Sequence, residues 1–179
     1  MMAKYIDKKA SEGISMPADE MGIAKAFSDL ASRLLADPQK LMEAQMKMMR
    51  DYVSLWQYSA SKMMGSTSVA PVAVPAKSDK RFKDDEWESN FLFDFIKQSY
   101  LITSGHMNNI VAETEGLDES THRKVDFFTR QYIDAMSPTN FAMSNPEVVR
   151  ETMNSGGKNL ISGFDNLLRD LEAGDGKLK

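Results

Sequence analysis

Residues 37–64 read DPQKLMEAQMKMMRDYVSLWQYSASKMM, and the spacing of their apolar side chains decides the fold class. Asp37 is a good N-cap, and Pro38 suits the first helical position because the N–H it lacks has no intrahelical partner there. Met42, Met46, Met49, Val53, Trp56, Ala60 and Met63 then follow at intervals of four and three, the spacing of a coiled-coil seam. Leu41, Met48, Tyr52 and Leu55 form a second, adjacent stripe. So broad an apolar face predicts a helix from Pro38 to about Met64 that needs a partner surface. The partner is the chain's own preceding helix, a second copy, another protein or an apolar surface. The seam residues Met42, Met46, Met49, Val53, Trp56 and Met63 are the candidate partner-binding site.

Upstream, Ile23, Phe27, Leu30 and Leu34 share one helical face, predicting a helix that begins near Asp19 or Glu20. Residues 1–19 are mixed and polar and are expected to be disordered. Downstream, residues 65–77 (GSTSVAPVAVPAK) have linker composition, with small residues, two prolines and a glycine. The expected organisation is therefore a disordered segment (1–19), a separate amphipathic helical arm (20–64), a Pro/Ala linker (65–77) and a C-terminal helical block (78–179).

Within that block a long apolar-periodic stretch runs from about Glu86 to Ala112. Trp87, Phe91, Phe95, Tyr100 and Ile110 are its large anchors, and the aromatic density of FLFDFI implies burial on more than one face. Asp118 can cap a helix over about 119–136, with Val125, Phe128, Tyr132 and Met136 on one side. Ser137-Pro138 stops it, because the residue before a proline avoids the helical region. Asn145, Pro146 and Glu147 open a last helix, whose apolar face runs through Val149, Met153, Leu160, Phe164, Leu167 and Leu171. Gly156-Gly157 marks a kink, a break or a close backbone approach, since each glycine costs about 1 kcal/mol against alanine inside a helix. No stretch alternates as a strand does, and the fold class is all-α, a helical bundle.

The chemistry is sparse. There is no cysteine among the 179 residues, so no disulfide, no thiolate and no cysteine nucleophile. His106 and His122 are 16 residues apart, which is not the spacing of a helical ligand pair. No nucleophile elbow, phosphate loop or HExxH occurs. Ser137, Ser144 and Asp134 with either histidine could be drawn as a triad, but nothing orients a base or supplies an oxyanion hole. The run Asp84-Asp85-Glu86 beside Lys80, Arg81 and Lys83 reads as a solvated face. No cofactor, metal or catalytic residue is assigned. A net charge of −4 argues against nucleic acid as a partner. The start lacks the apolar region of a secretory signal and no run approaches a membrane span, so a cytoplasmic location is expected.

Three longer runs carry a resemblance: DKRFKDDEWESNFLFDFIKQSYL (79–101), KVDFFTRQYIDAMSPTNFAMSNPEVVRETMNSGGKNLISGFDNLLRDL (124–171) and the tail GDGKLK. They resemble the N-terminal region of class I polyhydroxyalkanoate synthases, the bacterial acyltransferases that polymerise 3-hydroxyacyl-CoA into polyester granules. The arm, with DPQKLMEAQMKMMRDYVSLWQ, resembles the more variable segment ahead of it. In that family an α/β-hydrolase domain with a Cys nucleophile, a His base and an Asp follows this region. No catalytic residue can be carried over here, so the chain alone is expected not to be an enzyme. The resemblance implies a non-catalytic interaction domain in poly(3-hydroxybutyrate) biosynthesis. Its expected roles are dimerisation, stability of the catalytic domain and granule association. Its expected partners are the catalytic domain of the parent synthase, a second copy, phasin-type granule proteins and the polyester granule surface. A free-standing, phasin-like granule coat protein is the alternative.

Overall fold

The computed structural model describes residues 22–66 and 68–173, with side chains through Arg169. Among the described residues the regular structure is seven α-helices and one 3-10 turn, with no strand. The all-α expectation therefore holds. The readings placed on residues 1–21, the start of the first helix near Asp19 included, lie outside the described part, as do the side chain of Leu171 and the cap at Gly174.

Helix α1 spans Ile23–Ala36 and α2 spans Pro38–Met63, joined at Asp37. The Asp37 carboxylate accepts a hydrogen bond from the Lys40 N–H, so the predicted cap and Pro start are both present. The apolar-periodic stretch 86–112 is not one continuous helix. It divides at Asn90 into a single turn, α3 (Glu86–Ser89), and the long α4 (Phe91–Glu113). Asn90 is extended, and its side chain accepts from the Leu92 N–H, so the residue ends one helix and caps the next. Helix α5 spans Glu119–Ala135 under the Asp118 cap, which accepts from Ser120 and Thr121 N–H. After the 3-10 turn Pro138–Asn140, Asn145 caps α6 (Pro146–Ser155). Gly156 and Gly157 form a break: both have positive φ, 61° and 86°, and α7 (Lys158–Ala173) starts beyond them. A Cβ at either glycine would meet nothing within 4 Å, so the left-handed backbone and not close packing calls for glycine there.

Helix α4 is the centre of the bundle, since each of its sides feeds a different core. Near its end Val111 joins Ala26 and Leu30 of α1 and Val125 of α5. In the middle Ile102, with Phe95 beside it, meets Leu55 and Tyr58 of α2. At its start Phe93 packs with Phe82 and Trp87, flanked by Tyr100 and by Val149 of α6. Trp87 is 1% exposed and sits edge-on to both Phe82 and Phe93, with ring centroids 5.0 and 5.9 Å away. The multi-sided burial inferred from FLFDFI is thus realised, although Phe91 itself is exposed.

The amphipathic arm is present as the two helices α1 and α2 but is not set apart. The C-terminal half of α2 lies along α4, and Val69, Val72 and Ala73 of the Pro/Ala stretch lean on the same core. The reason is chemical: polar groups of α4 bind the stretch through its backbone, as described below. On α5 the expected face is rotated, with Val125, Thr129 and Ile133 buried while Tyr132 and Met136 are exposed. Strict four-residue steps keep these three in line on one face of α5, and Tyr132 and Met136 lie off that face.

Candidate interaction surface and the buried network behind it

The seam of α2 points outward. Met42, Met46, Met49, Val53, Trp56 and Met63 are each between 50% and 71% exposed. The adjacent stripe does the packing: Leu55 is wholly buried, Tyr52 and Leu41 are half-buried, and Tyr58, outside both stripes, is buried with them. Both stripes step by threes, fours or sevens, and it is the second, through Leu55 and Tyr52, that packs against α4. Trp56 is steadied edge-on against Phe95, with ring centroids 5.8 Å apart, yet keeps two thirds of its surface in solvent. A row of thioethers and one indole, held on a rigid helix, is an adaptable apolar contact surface.

What holds that surface in place is a polar network that sequence reasoning missed. Asp94, buried on α4, accepts from the Tyr58 hydroxyl at 2.7 Å and from Lys62 Nζ at 3.0 Å, both on α2. Lys62 also donates to the Glu88 carbonyl. Lys97 Nζ lies 3.2 Å from the second Asp94 oxygen and donates to the Trp87 carbonyl at 2.8 Å. Gln98, wholly buried, donates to Asp94, and its carbonyl accepts from the N–H groups of Val72 and Ala73 at 2.7 and 3.2 Å. One turn of α4 therefore ties together α2, the Pro/Ala stretch and α3. The signal was available in D-F-I-K-Q, where a carboxylate, an ammonium and an amide sit on a stretch otherwise saturated with apolar side chains.

Electrostatics agree with the geometry. Burial pushes the Asp94 carboxyl up, but the Tyr58, Lys62 and Gln98 hydrogen bonds and the Lys97 charge outweigh it and hold the group below the ordinary carboxylate value. The Tyr58 hydroxyl is pushed up, first by burial and then by its bond to Asp94. Burial presses Lys62 down, and its contacts with Tyr58 and Asp94 more than reverse that.

The charged run 79–86 is less of a free solvated face than its composition suggests. Arg81 reaches Asp79, the Tyr100 hydroxyl and Asp134 at 2.8–3.1 Å, and Arg150 of α6 reaches Asp84 at 2.6 Å and Glu86 at 2.7 Å. The Arg81–Asp134 and Arg150 links bridge segments more than 50 residues apart, and with Arg81–Tyr100 they tie α3, α4, α5 and α6 together. The residues that could be drawn as a triad have other occupations. Ser137 pairs with Thr139, Ser144 donates to the Pro138 carbonyl, Asp134 holds Arg81, and His106 Nε2 lies 2.8 Å from Asp51 of α2. His106 is buried; His122 is half-buried on α5. Asn140 donates to the carbonyls of Asp134 and Ala135, and Asn145 donates to that of Thr139, so SPTNF and NPE are turn chemistry. Among the described residues no group of three or more acidic or histidine side chains could hold a metal, and no helix is long and apolar enough to cross a membrane.

Comparison with known proteins bears on the same residues. The family described as "Poly-beta-hydroxybutyrate polymerase (PhaC) N-terminus" matches residues 78–179. A poly(3-hydroxyalkanoate) polymerase of Methylorubrum extorquens is 41% identical over 161 residues, covering 90% of this chain and 26% of that protein. The poly(3-hydroxyalkanoate) polymerase subunit PhaC of Rhizobium etli is 37% identical over 161 residues, 88% of this chain and 25% of its own length. The corresponding subunit of Cupriavidus necator is 33% identical over 137 residues, 76% and 22%. The chain thus spans about a quarter of the length of these relatives. No solved structure matches it.

Proposed function

We propose, from the premise that this chain belongs to the poly-beta-hydroxybutyrate polymerase (PhaC) N-terminus family, that it is the non-catalytic interaction module of a polyhydroxyalkanoate synthase. It supports the dimeric, stable form of the catalytic part and holds the enzyme at the polyester granule in the cytoplasm. The observation that carries this reading is the outward seam Met42–Met46–Met49–Val53–Trp56–Met63 on a helix whose other side is pinned to α4. An apolar face of coiled-coil spacing suits a second copy, a partner helix of the phasin type or an apolar polymer surface. The helix that carries it is not rich in lysine on its polar face, which disfavours anionic lipid. The absence of any cysteine supports a non-catalytic role for this chain alone.

The test combines light scattering with partition onto poly(3-hydroxybutyrate) particles, for the chain and for its Met49→Asp, Trp56→Asp double variant. Loss of self-association or of partition, with the helical content intact, is the expected result. Unchanged mass and unchanged partition in the variant would remove the seam from the reading. Mixing the chain with the catalytic part of a related polymerase and following CoA release from 3-hydroxybutyryl-CoA tests the supporting role. Granule partition without any change in that rate would favour a coat protein.

A further inference from the structure

The methionines stand where methionine is seldom found. It ranks with leucine and phenylalanine among the residues most often buried. Of the ten among the described residues, nine are 40–88% exposed and Met107 of α4 is half-buried. None of the ten belongs to the three core clusters, which are built from aliphatic and aromatic side chains. Six of them lie between Met42 and Met64, on α2 and its C-cap. Within the seam, Met42, Met46 and Met49 share one side over about 10 Å of helix axis, at 1.5 Å per residue, and Met63 extends the row. The chain has no cysteine, so thioethers are its only sulfur.

We propose that the α2 seam is a reversible oxidation site, at which hydrogen peroxide converts the exposed methionines to sulfoxides and weakens the contact the seam makes. The inference rests on the reading of the seam as a contact surface and adds its regulation. The sulfur lone pair attacks one peroxide oxygen, the O–O bond breaks and an S–O bond forms. The thioether gives up two electrons, and the peroxide leaves as water. Two thiols reverse the step through methionine sulfoxide reductases, returning the thioether with water and a disulfide. A sulfoxide is polar, so a surface closing over Met42, Met46 and Met49 would then bury S–O groups without hydrogen-bond donors. The fold is spared, because the core clusters hold no methionine and α2 is fastened through Tyr58, Lys62 and Leu55. One oxidant thus acts on the contact surface and leaves the scaffold beneath it. Leucine at the same positions would offer apolar area without this response.

The chain is treated with graded hydrogen peroxide, quenched, and followed in three ways. Peptide mass spectrometry reads sulfoxide at each methionine, far-ultraviolet circular dichroism reads the fold, and light scattering with partition onto poly(3-hydroxybutyrate) particles reads the contact. Sulfoxide at Met42, Met46, Met49 and Met63 should accompany a loss of association or partition of roughly tenfold or more, with helical content intact. The two reductases, one for each sulfoxide epimer, should restore the contact in the presence of dithiothreitol. A chain with Met42→Leu, Met46→Leu, Met49→Leu and Met63→Leu should keep its contact through the same treatment. Met143→Leu with Met153→Leu, exposed but off the seam, should lose it as the parent chain does. Particles present during the treatment should slow oxidation on the seam and not at Met143 or Met153. Complete oxidation of the seam with unchanged association and partition would overturn the inference and leave the contact reading standing. Equal loss in the four-leucine variant would overturn it too, by placing the sensitive groups elsewhere. An untreated chain that neither associates nor partitions would overturn the contact reading itself, and this inference with it. If the four leucines abolish the contact before peroxide is added, repair of the oxidised parent chain decides: recovery upholds the inference, and no recovery overturns it.

Discussion

Asp94 and Lys97 lie one turn apart on α4, both almost wholly buried, with Lys97 Nζ 3.2 Å from Asp94 Oδ1. A buried ion pair is usually poor value for stability, because the desolvation of two charges offsets their attraction. Here both members have further partners. Asp94 also receives Tyr58, Lys62 and Gln98, and Lys97 also donates to the Trp87 carbonyl. The pair is the knot by which α4 fixes the position of α2, and with it the direction of the exposed seam.

Removing one member of the knot should be costly. Asp94→Asn leaves the Lys97 ammonium buried without its counter-charge, and breaking a buried pair in this way costs about 3–5 kcal/mol. Urea unfolding followed by circular dichroism measures it. Lys97→Met added to Asp94→Asn should cost clearly less than the sum of the two single changes, because the residues share one network. Strict additivity would show that they act independently.

Acid should loosen the same region. The folded-state pKa of Asp94 is depressed, so its contribution to stability is present above the unfolded value of about 3.8 and is lost as pH falls through the lower folded value. Asp79 and Asp84 act in the same direction, held down by Arg81 and Arg150 respectively. The melting temperature should therefore be flat near neutrality and fall below about pH 4. The Asp94→Asn variant should show a shallower fall, and an identical slope would remove Asp94 from the acid response.

Trp87→Ala should destabilise the α3–α4–α6 corner by about 3–5 kcal/mol, since the ring is buried against Phe82 and Phe93 and its loss leaves a cavity. Thermal or urea unfolding monitored by far-ultraviolet circular dichroism reports it. An unaltered midpoint would mean that the neighbouring rings collapse into the space.

The seam should behave in the opposite manner. Met49→Asp alone touches no core residue and should leave folding stability within about 0.5 kcal/mol, as exposed substitutions usually do. Association mass by sedimentation should nonetheless fall. A large loss of stability with no loss of association would show that Met49 packs inside its own chain.

Local rules acting over a few residues were legible from the sequence. Asp37, Asp118 and Asn145 cap the helices they were expected to cap, because capping needs only a side-chain oxygen two or three residues before a free N–H. Heptad spacing correctly placed the seam on one side of α2. Spacing is blind to which of two adjacent stripes finds a partner, and the structure turned Leu55 inward together with Tyr58, leaving Trp56 two-thirds in solvent. The Pro/Ala stretch looked like a spacer for the same reason: composition carries no sign of Gln98, whose amide binds the backbone at Val72 and Ala73 from 25 residues away.

The sequence by itself determined the helical class, the caps, an interruption of the last helix at Gly156-Gly157 and the resemblance that located the chain in its family. Each of these is set by neighbours along the chain or by a run of residue identities. Only the tertiary structure decided that the arm and the C-terminal block share one core, and that the DFIKQ turn is a buried tie and not a site. Which apolar faces stayed uncovered was settled there too. Those outcomes depend on side chains 30 to 60 residues apart competing for the same space and the same hydrogen bonds, as Tyr58 and Asp94 do across 36 residues.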